Sequence, residues 1–345
     1  MTSAVELHPS HSRGAAVTVV IPTHNRSGLL TEAVGSVLTQ THTVHEIIIV
    51  DDGSNDRHRS AVESLANRSP RIRVHAMAEN RGRSHARNEG LARANGDYVL
   101  FLDDDDLLDP GMIESSLLCF STAPDSDVVV CRGQYVGAHG WPPVLFNPFL
   151  NDGTRGFPRW MCRWISGTAG DVPEIEEFPI RTLLIHCPPI NACMIRASAI
   201  GATRFLEDIF AGEDWLFWLD LAINRCRFRF NPDGWVYVRR HQGNFCTGIP
   251  ASADIARKRA LDRMRGLGRE EEFLATALLT RLYQLQHRRG WHGLACSLAR
   301  YPDFLVKYGA QFLGRRACLS WLQWANRIGG SILKPAMDVS EQSLL

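Results

Sequence analysis

The sequence lacks the features that mark several large classes of protein. No apolar run approaches the ~20 residues that a membrane-spanning helix needs, and residues 1–14 are polar, without the apolar core of a signal peptide. The nine cysteines include no Cys-x-x-Cys pair, which favours reduced thiols and a cytoplasmic protein. The formal net charge is only +1, so the composition does not indicate nucleic acid as a partner.

Charge is unevenly distributed along an otherwise ordinary globular composition. The 345 residues are 45% hydrophobic and 22% charged, enough for one large domain or two smaller ones. Between residues 254 and 327 there are 14 Lys/Arg and 6 Asp/Glu, a local net charge of +8. The C-terminal segment is therefore basic, and the remainder of the chain is acidic.

The most informative segment is Leu102–Asp106, in which four consecutive aspartates follow an apolar, strand-like run, Tyr98–Leu102. Four like charges at a strand end are costly unless a cation neutralises them. Carboxylate oxygens bind Mg²⁺ or Mn²⁺ well, usually together with substrate phosphates. A solvated acidic loop is the alternative, but such a loop need not follow a hydrophobic strand. We therefore favour a divalent metal site.

Hydrophobic periodicity alternates between strand and helix over the first third of the chain. The predicted strands are 17–22, 46–50, 72–76 and 98–102, and the predicted helices are 27–38, 57–67 and 84–95. This alternation predicts an α/β fold with a doubly wound, mostly parallel sheet. Ligands on such sheets bind at the carboxyl ends of the strands. Polar clusters follow three of these ends, at residues 23–26, 51–52 and 103–106.

Beyond residue 110 the pattern is less regular. We predict strands at 127–131, 189–196 and 235–239, a helix at 213–223, a loop-rich region at 138–180 and helices from 251 to about 329.

Five motifs, in this order along the chain, resemble the family-2 glycosyltransferases of the GT-A fold. They are Val19–Arg26, Ile49–Ser54, Asn80–Gly90, Gly96–Tyr98 and Leu102–Asp106. The resemblance covers about residues 17–110 and extends less closely to Gly212–Trp215 and Arg239–His241. It implies a tail at 1–14, a GT-A catalytic domain at 15–250 and a helical C-terminal extension at 251–345. Residues 15–110 would form the nucleotide-sugar half, and residues 111–250 the acceptor half.

The resemblance also implies donor-binding residues. They are Pro22, Thr23, Asn25, Arg26, Asp52, Arg87, Asp103 and Asp104. Asp52 would contact the uracil of a UDP-sugar, although Asp-Gly-Ser is also turn chemistry. Capping of the helix that begins at Ser27 is the alternative role for Asn25 and Arg26. A surface position on its helix is the alternative for Arg87.

Metal binding and catalysis are assigned in the same way. By its place in the family's DXD motif, Asp105 is the expected ligand of Mg²⁺ or Mn²⁺. Asp214 would be the general base, with Glu213 and Trp215 near the acceptor; the alternative is that these acids only complement the helix dipole. Arg239 and His241 would approach the diphosphate or the metal, and a structural hydrogen bond is the equal alternative for His241.

Together these features predict an inverting hexosyltransferase that moves a sugar from a nucleotide-diphosphate sugar to a carbohydrate or lipid-linked acceptor. The chain lacks the Gln-x-x-Arg-Trp motif of processive synthases after Asp214, so we expect non-processive transfer. A non-catalytic nucleotide-sugar binding protein is the main alternative, and a sugar-nucleotide pyrophosphorylase is the other. The basic C-terminal helices either pack on the catalytic domain or make peripheral contact with anionic lipid. The oligomeric state stays open.

Overall fold

The computed structural model describes residues 14–137, 144–146, 180, 183–184, 187–240, 250–270 and 273. The chain divides into two compact units. The first comprises residues 1–148 and 187–249, and the second comprises residues 149–186 and 250–345.

In the first unit, alternating strands and helices build the parallel half of a nine-stranded sheet. The elements are β1 (Val17–Thr23), α1 (Ser27–Leu38), β2 (Glu46–Asp51), α2 (Asp56–Ser64), β3 (Ile72–Ala76), α3 (Arg83–Arg93) and β4 (Tyr98–Phe101). A 3₁₀ turn, Leu65–Arg68, extends α2. The α/β fold predicted from the periodicity is confirmed, and β3 and α1 have the predicted bounds.

The second half of the sheet is mixed. Its elements are β5 (Leu107–Leu108), α4 (Met112–Thr122), β6 (Val128–Gly137), β7 (Val144–Phe146), β8 (Cys193–Arg196), α5 (Ala197–Ile200), α6 (Glu213–Ile223) and β9 (Phe228–Arg240). The strand order is β3-β2-β1-β4-β8-β6-β9-β5, with β7 beside β6. β8 runs antiparallel to both β4 and β6, so the continuous parallel block predicted from the alternation spans β3 to β4, and parallel pairing recurs between β6 and β9. β6 and β9 exceed their predicted lengths because they pair with each other in parallel along most of their course.

Helices cover both faces of the parallel half. β1 and β2 are buried along their whole length, as expected of strands in a covered parallel sheet. α1 and α4 pack on one face, and α3 packs on the other. A Cβ at Gly90 of α3 would overlap the Val20 side chain, so glycine permits the close approach of α3 to β1. This contact fixes the start of α3 beside the strand ends.

Cysteines in the core are neutral thiols. Cys131, Cys193 and Cys226 are buried. Burial raises the pKa of Cys131 to about 12 and that of Cys226 to about 11, and it raises the pKa of Cys193 well above the usual range.

The described part of the second unit consists mainly of α7 (Pro250–Gly266). Ala256, Ala260 and Met264 are buried at a spacing of four residues, and the cations 257–259 between them are exposed. None of the described helices combines the length and the apolarity needed to cross a bilayer. Most of the predicted helical extension, the loop-rich region at 138–180 and the tail at 1–14 lie outside the described residues.

Candidate active site

The carboxyl ends of β1, β2 and β4 lie side by side. β1 pairs with β2 so that Thr23 is opposite Asp51, and it pairs with β4 on its other side. The segments that follow these strands line a cleft of about 430 Å³. Residues predicted to bind the donor or the metal contribute to its lining: Pro22, Thr23, Arg26, Asp52, Asp103, Asp104 and Asp105. The parallel sheet thus brings together polar clusters that are distant in sequence.

Arg26 neutralises the middle of the acidic run. Its Nη1 lies 3.2 Å from Asp104 Oδ1 and 2.9 Å from Asp105 Oδ2. Burial opposes its charge, but these two carboxylates raise the pKa of Arg26 overall. Thr23 Oγ1 donates to Asp104 Oδ2 at 2.7 Å. Burial and the neighbouring carboxylates nevertheless raise the pKa of Asp104 to about 6, so one guanidinium does not offset the whole negative charge.

Arg87 joins the acidic run to the start of α6. Its Nη2 donates to Asp103 Oδ1 at 2.6 Å, and its Nη1 donates to Glu213 Oε1 at 3.1 Å. Burial opposes the charge of Arg87, but the two carboxylates raise its pKa. The same contact leaves the pKa of Asp103 lowered despite the opposing effect of burial. Sequence reasoning placed Arg87 against the nucleotide. The structure instead buries it between two carboxylates, with its side chain 2% exposed.

Three carboxylates converge in a way that suits a divalent cation. Asp103, Asp105 and Asp106 each offer an oxygen, and these oxygens lie within 4.8 Å of one another. Burial, followed by the charges of Asp103 and Asp105, raises the pKa of Asp106 well above its usual range. Hard oxygen ligands that repel each other fit Mg²⁺ or Mn²⁺. Asp106 does not cap a helix, because Leu107–Leu108 is a short strand; its carboxylate accepts from Arg239 N and Asn191 Nδ2.

Asp52 braces the loop that precedes α3. Its Oδ1 accepts from Arg81 N at 2.7 Å, and its Oδ2 accepts from Gly82 N at 2.8 Å. Asp51 makes the turn contact, since Ser54 N donates to Asp51 Oδ1 at 3.0 Å. Asp52 therefore shapes the cleft wall with both of its oxygens, in addition to lining the cleft.

Asn25 links the loops after β1 and β2. It has a left-handed φ of 56°, its N donates to Ser54 Oγ at 2.8 Å, and its Oδ1 accepts from Asn55 N at 2.9 Å. Because its side chain and backbone hold this loop pair, its immediate role in the structure is to orient Arg26, its neighbour in the sequence.

The predicted base lies at the first turn of α6. Gly212 adopts a left-handed φ of 84° and starts the helix without a side-chain cap. Asp214 is half-buried, and its Oδ1 accepts from Trp215 N at 2.8 Å. Glu213 is 2% exposed, and its burial, followed by the charge of Asp214, raises its pKa despite Arg87 and Arg83. The two adjacent carboxylates thus have different partners, since Glu213 forms ion pairs with Arg83 and Arg87 and Asp214 accepts from the backbone of Trp215.

Arg239 lies beside the acidic run rather than in the cleft lining. Its Nε donates to the Asp105 carbonyl, its Nη1 pairs with Glu32 Oε2 at 2.6 Å, and its Nη2 donates to Leu29 O at 3.3 Å. It therefore ties β9 to α1 and to the backbone of the acidic run. His241, predicted with it, lies outside the described residues.

Sequence reasoning missed the segment before α6. Glu207, Ile209 and Phe210 line the cleft, and Phe210 is 64% exposed. Arg83 lines it as well. The sequence offered one signal, which is that this segment directly precedes the Gly212–Trp215 motif. The contacts that hold the segment on α3 join residues more than 115 positions apart, so they leave no local sequence pattern.

Comparisons with known proteins point to the family that the sequence motifs resemble. Residues 18–160 match the family model described as Glycosyl transferase family 2. An uncharacterized glycosyltransferase of Rickettsia felis is 45% identical over 206 residues, which are 60% of this chain and 30% of that protein. The putative teichuronic acid biosynthesis glycosyltransferase TuaG of Bacillus subtilis is 41% identical over 101 residues, 29% of this chain and 40% of that protein. The matches span less than half the length of these relatives.

A solved structure matches over a longer part of the chain. S. aureus TarS 1–349 in complex with UDP-GlcNAc superposes with a TM-score of 0.56 at 20% identity, covering 90% of this chain and 92% of that one. At this identity the likeness shows the fold, which is GT-A-type. The family match and the fold thus point the same way: residues 18–160 of this chain are similar to glycosyl transferase family 2, on a fold of the GT-A type.

Proposed function

We propose that this protein is a metal-dependent, inverting glycosyltransferase that moves single sugars from a UDP-sugar to an acceptor hydroxyl in polysaccharide or glycoconjugate biosynthesis. One observation carries the proposal: Arg87 bridges Asp103 of the acidic run and Glu213, the residue before the candidate base. The acidic run would hold the metal that neutralises the leaving diphosphate, and the start of α6 would carry the base that activates the acceptor. The buried side chain of Arg87 connects these two segments.

The donor half of the cleft supports a nucleotide sugar. Thr23, Arg26 and Asp52 lie at adjacent strand ends, where ligands bind on doubly wound sheets. The structures of TarS with UDP-GlcNAc and with UDP support a uridine donor. When bound, a divalent cation held by Asp103, Asp105 and Asp106 would stabilise the negative charge of the departing diphosphate.

Asp214 supplies the base in this proposal. Its carboxylate takes the proton of the acceptor hydroxyl as that oxygen forms a bond to the anomeric carbon. The bond between the anomeric carbon and the diphosphate oxygen breaks, and its electron pair leaves with UDP. Attack from the face opposite the leaving group inverts the anomeric configuration, through an oxocarbenium-like transition state. Glu213 does not compete for this role, because two arginines enclose it.

In this proposal the acceptor is a carbohydrate or a lipid-linked molecule. Carbohydrate or lipid-linked acceptors fit the name of the TuaG relative, which refers to teichuronic acid biosynthesis. Peripheral contact of the basic C-terminal helices with a membrane stays a prediction, since most of residues 251–345 lie outside the described residues.

The proposal is tested by UDP release. Wild-type protein is incubated with UDP-GlcNAc, UDP-glucose or UDP-galactose, with and without Mn²⁺, and UDP is quantified. We expect slow release by transfer to water from at least one donor, dependent on Mn²⁺. Saturable donor binding without release would instead identify a non-catalytic binding protein. Formation of UTP and sugar 1-phosphate in a parallel incubation with added pyrophosphate would identify a pyrophosphorylase.

A further inference from the structure

Arg83, at an unspecified position of one family motif, connects the cleft with the helix that carries the candidate base. Arg83, the first residue of α3, falls in the unspecified part of the Asn80–Gly90 motif. We propose that Arg83 is a positioning residue that holds the start of α6, and with it Asp214, against α3. The inference rests on the proposed function, since it assigns Arg83 a role in that reaction.

The guanidinium of Arg83 contacts the chain on both sides of Gly212. Its Nε lies 2.6 Å from Glu213 Oε1, and its Nη2 lies 3.2 Å from Glu213 Oε2. The same Nη2 donates to the Phe210 carbonyl at 2.8 Å. Gly212, between these contacts, has the left-handed φ of 84° that makes the turn into α6. Arg83 thus fixes the two ends of the turn that aims Asp214.

Other polar side chains of α3 hold the preceding segment, residues 205–210, which we term the lip. Asn88 Nδ2 donates to Phe205 O, and Phe205 N donates to Asn88 Oδ1, both at 2.9 Å. His85 Nδ1 lies 2.9 Å from Glu207 Oε2. The lip is therefore anchored on α3 by two further residues, so Arg83 controls only its last part and the helix start.

The burial of Glu213 makes this contact more than a surface ion pair. Exposed pairs contribute little, with a median of about 0–1 kcal/mol. The Glu213 side chain, however, is only 2% exposed, and its other cation, Arg87, is shared with Asp103. A buried carboxylate that loses one of two cations reorients or changes its charge state. Asp214 is the next residue in the same helical turn, so its carboxylate moves as well.

A purely electrostatic role is the competing explanation, because Arg83 also lines the cleft and its charge would attract a diphosphate. Arg83→Lys separates the two roles. Lysine keeps the positive charge, but its compact ammonium cannot contact Glu213 in the forked geometry and reach the Phe210 carbonyl at the same time. Arg93→Ala is the control, because Arg93 ends the same helix and its guanidinium pairs with Glu89, four residues earlier.

The experiment measures the Kd of UDP with Mn²⁺ by calorimetry and kcat for UDP-GlcNAc hydrolysis, with thermal unfolding to verify folding. We expect Arg83→Lys to bind UDP within about 3-fold of wild type and to lose roughly 10-fold to 10²-fold in kcat, as for a misplaced catalytic group. Arg83→Ala should lose at least as much kcat and also bind UDP more weakly. Arg93→Ala should match wild type in both quantities.

Wild-type kcat in Arg83→Lys would overturn the inference, as would a kcat loss in Arg93→Ala equal to that of the Arg83 variants. If Arg83→Ala does not fold, Arg83→Lys decides alone. Absence of UDP release by wild-type protein would overturn the proposed function and, with it, this inference. Normal wild-type release with unaffected Arg83→Lys would overturn the inference alone.

Discussion

Each aspartate of the acidic run meets different partners. Asp103, which lines the cleft, pairs with the buried Arg87, and Asp104 is held by Thr23 and Arg26. Asp106 accepts from the Arg239 backbone and from Asn191. Asp105 pairs with Arg26 and belongs to the three-carboxylate cluster with Asp103 and Asp106. Identical side chains in one run are thus distinguished by what the fold places beside them.

For Asp105→Ala we expect loss of metal-dependent donor binding with the fold retained. Removing one carboxylate takes an oxygen ligand from the cluster and also relieves repulsion among buried acids. The measurement is UDP affinity with and without Mn²⁺. Asp125→Ala, at a side chain that is 65% exposed, is the control. An unchanged Mn²⁺-dependent gain in affinity for Asp105→Ala would contradict the metal assignment.

For Asp214→Asn we expect unchanged UDP affinity and a loss of turnover of ~10²-fold or more, because the amide cannot accept the acceptor proton. UDP calorimetry and UDP-release kinetics measure the two quantities. Asp220→Asn, further along the same helix α6, is the matched control. Turnover near the wild-type rate would move the base elsewhere, and Glu213→Gln would be tested next.

At the scale of elements, α3 organises the site. Gly90 seats the helix on β1, and Arg87 and Arg83 project from its first turns to the carboxylates of α6 and the acidic run. Asp52 holds the loop before it by two backbone N–H groups. The position of α3 on the sheet therefore helps to determine where the acidic run and the start of α6 lie.

Gly90→Ala tests this seating. The added methyl group would overlap Val20, a stiff β-branched residue in the core, so we expect a loss of about 1–3 kcal/mol in the free energy of unfolding. Gly35→Ala is the matched control in α1, where a Cβ meets nothing within 4 Å, and it should stabilise by roughly 0.5–1 kcal/mol. Urea denaturation measures both changes. Equal stability of the two variants would show that α3 adjusts freely.

The local sequence pattern predicted the elements whose bounds are marked by residues within or next to the element. β1, β2 and β3 are short, mostly apolar runs between turn residues, and their bounds were predicted to within a residue. The predicted strand 189–196 begins instead with the 3₁₀ turn Ile190–Ala192, and β9 extends far beyond its prediction because pairing with β6 decides its length. The roles of Arg83 and Arg87 depend on partners about 130 residues away, which no periodicity reports.

At the scale of the molecule, the change from parallel to antiparallel pairing creates the two sides of the site. The strands from β3 to β4 run parallel, and the candidate donor-binding residues lie at the carboxyl ends of three of them. β8 then runs antiparallel to β4. The chain continues from β8 into the lip and α6, and the start of α6 contacts α3 across the cleft through Glu213 and Arg87. The candidate donor-binding residues and the candidate base thus come from distant parts of the sequence, the former from strand ends and the latter from the first turn of α6.

The cleft and the absence of a processive motif predict transfer of one sugar per encounter. Once the natural acceptor is known, mass spectrometry of products under excess acceptor should show a single added sugar at low conversion. The control is the same reaction with the acceptor omitted, which should give only free sugar. Long chains appearing at low conversion would identify a processive polymerase.

The buried thiols give the protein an internal reporter of its own unfolding. Alkylating reagents attack the thiolate, and Cys131, Cys193 and Cys226 are shielded from solvent with pKa values raised by burial. In the folded state these three sites should resist iodoacetamide at neutral pH, and they should react once the sheet opens. Peptide-resolved labelling along a urea gradient would therefore follow the opening of β6, β8 and the end of α6 separately, in the unmodified natural chain.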